Sequence, residues 1–87
     1  MAAYQELLLY RKRGECPLCD IAAEALAPIA RRLNLAVNAV DIESDAELFD
    51  RYQFDVPVVL FGGVEVARGR VVPPVVEARL REIRDIN

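Results

Sequence analysis

Residues 6–19 read ELLLYRKRGECPLC, an apolar run followed by a basic turn and then by two cysteines. The run Leu7–Leu9 is typical of a strand whose sheet is covered on both faces. Cys16 and Cys19 are the only cysteines of the 87-residue sequence, and they lie three positions apart at the start of a helical pattern. A strand that ends in Cys-x-x-Cys and continues as a helix is the usual setting of a dithiol redox site.

The spacing of the two cysteines suits this chemistry. Residues three apart on a helix are separated by about 5–6 Å, which a disulfide can bridge without backbone movement. Pro17 is expected at the first helical position, where its missing N–H costs nothing. Cys16 would then lie beside the unpaired N–H groups of the helix start, which favour a thiolate. Like-charge repulsion from Glu15 and Asp20 opposes that effect, and the basic run Arg11-Lys12-Arg13 supports it.

The remaining pattern predicts the element order β-α-β-α-β-β-α. A helical crossover joins parallel strands and a tight hairpin joins antiparallel strands. The sequence therefore predicts a single α/β domain over residues 1–87, with a four-stranded mixed sheet flanked by helices on both faces. The predicted strands are 6–12, 35–42, 56–61 and 64–70, and the predicted helices are 17–33, a short helix opened by a Ser44–Glu47 capping box, and a last helix from Pro73-Pro74.

Several single residues are expected to end, connect or interrupt these elements. Asn34 is expected to end the first helix, and Gly62-Gly63 is expected to form the hairpin. Pro28 is expected to kink the first helix, because its ring clashes with the carbonyl group of Glu24. The large aromatic side chains are expected to lie in the core rather than to stack on a ligand: Phe49, Tyr52, Phe54 and Phe61.

The element order and the Cys-Pro-Leu-Cys motif after the first strand resemble the thioredoxin fold and, within it, the glutaredoxins. Cys-Pro-x-Cys is similar to the glutaredoxin form of the motif, whereas the thioredoxin form carries a tryptophan, a residue absent from this sequence. A second likeness is Asp55-Val56-Pro57 before the third predicted strand, where the family places a cis-proline that faces the active site. An X-Pro bond is the only peptide bond that adopts the cis form at modest cost.

The resemblance implies a role for each matching residue. Cys16 would attack a substrate disulfide, and Cys19 would resolve the resulting mixed disulfide. The partners implied are protein or glutathione mixed disulfides, with glutathione as a possible co-substrate and with no bound cofactor. A substrate-binding role is implied for Arg13, Pro17, Leu18, Val56 and Pro57.

The sequence also departs from the glutaredoxin pattern. Glutaredoxins usually carry a glycine pair followed by an aspartate that binds the glutathione amine, but residues 67–71 here read ARGRV. Leu18 replaces the tyrosine that is common between the cysteines. The chain therefore resembles the short, divergent glutaredoxin-like proteins of bacteria. Arg68 and Arg70 share one face of the predicted strand, where they would either hold an anionic substrate or form a solvated edge.

Composition narrows the other possibilities. The net charge is −3, which disfavours nucleic-acid binding, and no apolar run is long enough to span a membrane. No secretory signal is visible, so a cytoplasmic location is expected. The protein is also expected to be a monomer. Two rival interpretations stay open: a binding module that kept the fold and lost the chemistry, and a metal or iron–sulfur site shared between subunits. Sharing would be needed because two cysteines without histidine cannot complete a four-ligand site.

Overall fold

The computed structural model describes residues 5–86 and confirms the predicted fold class, a four-stranded mixed sheet with flanking helices. A short 3-10 turn, Ile42–Ser44, precedes the second helix. Among the described residues, none of the helices is long and apolar enough to cross a membrane. The elements are β1 (Glu6–Arg11), α1 (Pro17–Leu33), β2 (Ala36–Asp41), α2 (Ala46–Tyr52), β3 (Val58–Phe61), β4 (Val64–Arg68) and α3 (Pro73–Ile86).

The strand order in the sheet is β2-β1-β3-β4. β1 and β2 are parallel, as the α1 crossover requires, while β1–β3 and β3–β4 are antiparallel. Gly62 and Gly63 both have positive φ and form the tight turn between β3 and β4, as predicted. The carboxyl end of β1 therefore lies beside the start of β3, and the two segments of the candidate site are brought together there.

Side chains alternate between two cores, one on each face of the sheet. Leu9 of β1 and Phe61 of β3 pack against α1 and α3 in the larger core. Tyr10 and Val58, each adjacent in sequence to a residue of the larger core, instead pack on the opposite face in a smaller core that includes Tyr52 of α2. The period of two along each strand thus separates the α1–α3 layer from the α2 layer.

Helix α1 has the bounds that the sequence predicts. Asn34 ends it in the left-handed conformation with φ 57°, and the N–H of Leu35 donates to the carbonyl of Ala30 at 2.8 Å. The helix runs through Pro28 as a single element. Its buried face lies in the larger core, so the packing of the whole helix fixes the position of its first turn.

Several predicted boundaries are wrong by one or two residues: β1 ends at Arg11 rather than residue 12, β2 spans Ala36–Asp41 rather than residues 35–42, and β3 begins at Val58 rather than residue 56. The cap of α2 is Asp45, not Ser44: the Asp45 carboxylate accepts the N–H groups of Glu47 and Leu48 at 2.9 and 3.3 Å. The Ser44 hydroxyl instead donates to the carbonyl of Asp41 at 2.6 Å, within the 3-10 turn. Strand β4 ends at Arg68 rather than residue 70, because Gly69 leaves the extended conformation with φ 74°.

The aromatic residues follow the prediction except at one position. Phe61 and Tyr52 are buried, and Phe49 packs against the smaller core. Phe54, expected in the core, is 89% exposed. It lies in the turn between α2 and β3, where no helical or strand periodicity directs its side chain toward the sheet.

Candidate active site

The two cysteines lie at the start of α1 and are joined by a disulfide, with their Cα atoms 5.2 Å apart. Cys16 is the N-cap residue and Cys19 belongs to the first helical turn. The side chain of Cys19 is fully buried, whereas that of Cys16 is partly exposed and lines a surface groove. A molecule approaching from outside therefore meets the sulfur of Cys16 first.

The local sequence explains how this turn is built. Pro17 occupies the first helical position, and the N–H of Asp20 donates to the carbonyl of Cys16 at 3.0 Å, which starts the helix. The N–H of Cys19 donates to the sulfur of Cys16 at 3.3 Å. Cys16 thus takes the place of the usual serine or aspartate cap. This N–H and the helix dipole would stabilise a Cys16 thiolate once the disulfide is opened.

The basic run before the motif is largely engaged in ion pairs. Arg11 pairs with Asp20 at 2.9 Å, so a carboxylate that the sequence places against the thiolate has a counter-charge. Arg13, which the resemblance places near a glutathione carboxylate, pairs with Asp41 at 2.7 Å. The N–H of Glu43 and the Arg13 guanidinium hold the pKa of Asp41 below its usual value. Lys12 lines the same groove as Cys16.

The segment opposite the cysteines begins with a cis peptide bond between Val56 and Pro57. Val56 lines the groove beside Cys16, and Pro57 is buried. The N–H of Gly69 donates to the carbonyl of Pro57 at 2.7 Å and so joins the end of β4 to the start of β3. Val56 of the predicted substrate site thus lies next to Cys16, while Pro57 is buried just before the start of β3.

Arg68 of β4 is joined to this segment by an ion pair. Its guanidinium pairs with Asp55 at 2.8 Å and with Glu65 at 2.6 Å, and it lies 5.7 Å from the centre of the Tyr52 ring. The hydrogen bond from Arg68 lowers the pKa of Glu65. Arg68 is therefore occupied by partners of its own chain and does not act together with Arg70, contrary to the shared face that the sequence predicts.

Two grooves meet at the first turn of α1. The first, here called the cysteine groove, has a volume of about 370 Å³. The second, here called the helix-side groove, has a volume of about 480 Å³ and runs between α1 and the segment after β4. Leu18 lines both grooves and is 55% exposed. The cysteine groove is lined by Lys12, Glu15, Cys16, Pro17, Leu18, Gln53, Phe54 and Val56, and the helix-side groove by Leu18, Ile21, Ala22, Gly69, Arg70 and Val71.

The structure adds residues that the sequence analysis did not place at the site. Phe54 and Gln53 reach the cysteine groove from the turn before β3, and Ile21 lines the helix-side groove from α1. The sequence signal for Ile21 is its spacing of three from Leu18, which places both residues on one face of α1. No sequence signal identifies Phe54, because the turn conformation alone directs it outward. Of the substrate-binding residues that the resemblance implies, Pro17, Leu18 and Val56 line the cysteine groove, whereas Arg13 and Pro57 line neither groove.

The surroundings of the cysteines bear on the alternative of a metal site. Within residues 5–86, no group of three or more histidine, cysteine, aspartate or glutamate side chains is arranged to hold a metal ion. A metal site built on Cys16 and Cys19 would therefore need donors from outside this part of the chain.

Comparison with known proteins gives a consistent result. Residues 6–83 match the glutaredoxin-like domain (DUF836). The X-ray structure of the Northeast Structural Genomics target protein XcR50 from X. campestris is 38% identical, with 87% of this chain and 96% of that chain covered and a TM-score of 0.73. Thioredoxin 1 from the thermophilic eubacterium Thermosipho africanus TCF52B shares the fold at 16% identity, with 93% and 96% covered and a TM-score of 0.65.

Proposed function

The chain belongs to the glutaredoxin-like domain family (DUF836), and on that basis we propose that it is a thiol-disulfide oxidoreductase acting through Cys16 and Cys19. The observation that carries the proposal is the unequal exposure of the two sulfurs at one helix start. Cys16 lines the cysteine groove and accepts an N–H group, while Cys19 is fully buried behind it. This arrangement suits an attacking thiolate and a resolving thiol.

The proposed reaction begins with the reduced protein. The Cys16 thiolate attacks one sulfur of a substrate disulfide, whose S–S bond breaks, and the other substrate sulfur leaves as a thiolate that takes a proton from water. The Cys19 thiolate then attacks the sulfur of Cys16. The mixed disulfide breaks, the second substrate sulfur leaves as a thiolate that takes up the proton lost by Cys19, and the Cys16–Cys19 disulfide forms. Two electrons pass from the protein to the substrate, and two external thiol groups must return them as they become a disulfide.

The surroundings of the dithiol supply the binding surface for this reaction. Val56 lies in the cysteine groove next to Cys16, and Phe54 offers an exposed aromatic face there. We propose protein or glutathione mixed disulfides as substrates, and a small thiol such as glutathione as reductant, with no bound cofactor. Arg13 is assigned no direct part, since its guanidinium is paired with Asp41.

The test is a redox titration of the cysteine pair. The protein is equilibrated in thiol–disulfide buffers of stepped potential, and the oxidised fraction is measured by labelling the free thiols. A reversible transition at roughly −200 to −270 mV, the range of glutaredoxins and thioredoxin, is expected. The Cys16→Ser variant is the control and should show no intramolecular transition. A wild-type pair that stays unreactive throughout would overturn the proposal and favour a binding module.

A further inference from the structure

The helix-side groove carries a cation, Arg70, that has no ion-pair partner among the residues that the structure describes. Arg70 lines this groove, and within residues 5–86 its side chain makes no ion pair. Its neighbour Arg68, by contrast, is held by Asp55 and Glu65. Of the acids of α1, Asp20 is paired with Arg11, and neither Asp20 nor Glu24 lines the groove.

The same groove exposes large aliphatic side chains. Leu18 is 55% and Ile21 is 58% exposed, and Val71 contributes further apolar surface. An occupant that covers these side chains gains roughly 25 cal/mol for each Å² of apolar surface removed from water. The groove therefore offers apolar contact and one positive charge side by side. It is continuous with the site of disulfide exchange, because Leu18 also lines the cysteine groove.

We propose that the helix-side groove binds a segment of a protein disulfide substrate in which an apolar residue lies beside an acidic one. The apolar residue packs on Leu18 and Ile21, and the carboxylate pairs with Arg70. The inference rests on the proposed function, since the segment is delivered to the groove by the disulfide that reacts at Cys16. Arg70 is then a specificity-determining residue that favours acidic substrate segments over basic ones.

The test isolates the first chemical step in the Cys19→Ser variant, which cannot resolve a mixed disulfide. Peptides carry one cysteine joined in a disulfide to pyridine-2-thiol. The Cys16 thiolate attacks the peptide sulfur, a protein–peptide disulfide forms, and pyridine-2-thiolate leaves and is followed by its absorbance. No further reductant or oxidant is needed, because one disulfide is exchanged for another.

The peptides are compared in matched pairs. Within a pair, a Leu-Asp or a Leu-Lys dipeptide lies two residues from the cysteine, and the dipeptide precedes the cysteine in one pair and follows it in the other. In at least one pair the acidic peptide should react about fivefold faster at low salt, a ratio expected of one exposed charge pair gained and one repulsion avoided. The ratio should approach one in 1 M salt, where the Debye length is about 3 Å.

Two charge reversals, each made in the Cys19→Ser background, assign the selectivity to its residue. Arg70→Glu should invert the ratio, so that the basic peptide reacts faster. Arg31→Glu is the matched control, because Arg31 is exposed in the last turn of α1, at the opposite end of the helix from Cys16. It should leave the ratio unchanged. Ile21→Ser should slow both peptides alike, since it removes apolar contact and no charge.

The outcomes separate this inference from the proposed function. A neutral small disulfide, 2-hydroxyethyl disulfide, is measured in parallel. If Cys16 reacts with it but neither peptide pair shows a preference, or if Arg70→Glu leaves the ratio unchanged, the charge selection is wrong and the redox function stands. If Cys16 reacts with none of these disulfides, both are overturned.

Discussion

Replacing Gly69 by alanine should destabilise the protein through its backbone alone. Gly69 has φ 74°, a conformation that residues with a Cβ atom rarely adopt, yet a Cβ atom built there would meet nothing within 4 Å. The left-handed conformation costs an L-residue about 1–2 kcal/mol. Part of that cost, roughly 0.4–1 kcal/mol, is offset because alanine lowers the entropy of the unfolded chain. The net loss is therefore about 1 kcal/mol.

This free energy converts to a measurable shift in melting temperature. The entropy of unfolding is about 2.1 cal/mol/K per residue, so a domain of this size loses about 5 °C for each kcal/mol. Thermal unfolding followed by circular dichroism at constant redox state should show that drop for Gly69→Ala. Gly69→Asn should lose less, since asparagine tolerates this conformation better.

Two further variants test the same backbone reasoning. Gly63→Ala is matched in strain, because Gly63 has φ 80° and open space around it, but it lies in the β3–β4 hairpin. It should lose about as much stability as Gly69→Ala. Gly69→Pro removes the N–H that donates to Pro57 and also holds φ at about −65°, far from the φ of Gly69, so it should lose clearly more than either alanine variant. A Gly69→Ala protein that melts within 1 °C of wild type would refute this reasoning.

Three further predictions concern the site and its scaffold. Cys16→Ser should abolish disulfide exchange and Cys19→Ser should accumulate mixed disulfides on mass spectrometry; identical behaviour would contradict the division of roles. Phe54→Ser should leave the melting temperature nearly unchanged, because Phe54 is 89% exposed, while raising KM for protein disulfides; a marked loss of stability would show that Phe54 is packed. Hydrogen bonds from Arg32 and Arg81 lower the pKa of Glu77 to about 2, so Glu77→Gln should reduce stability near pH 7. Because the folded pKa lies below the ordinary 4.5, that difference should shrink as the pH falls from about 4.5 toward 2, and a difference independent of pH would contradict it.

The first helix illustrates what the sequence specifies well. Proline at its first position, apolar residues at spacings of three and four, and Asn34 at its end all indicate the same bounds, and the structure has them. The cap of α2 shows the opposite case. Ser44 and Asp45 are both good capping residues, and the choice between them depends on the 3-10 turn that engages Ser44. The sequence by itself therefore does not decide which of two adjacent capping residues begins the helix.

The candidate site likewise has features that the sequence specifies and features that it does not. The positions of the cysteines and of Val56-Pro57 follow from motif and element order, which the fold converts into proximity. The ion-pair partners of the arginines do not follow from the sequence, because they depend on the side-chain geometry of residues that lie in different segments of the chain. Arg68 and Arg70 share a face only if the strand continues, and the positive φ of Gly69 ends it between them. Arg68, before this glycine, is held by Asp55 and Glu65, whereas Arg70, after it, lines the helix-side groove.

The burial of Cys19 behind Cys16 has a kinetic consequence for the proposed enzyme. Only the sulfur of Cys16 can exchange electrons with another molecule. The oxidising and reducing partners therefore compete for that one sulfur atom. The two partners cannot react with Cys16 simultaneously, and the product of one must leave before the other partner binds. Turnover should therefore follow a double-displacement scheme, with parallel lines in double-reciprocal plots and inhibition by an excess of either partner.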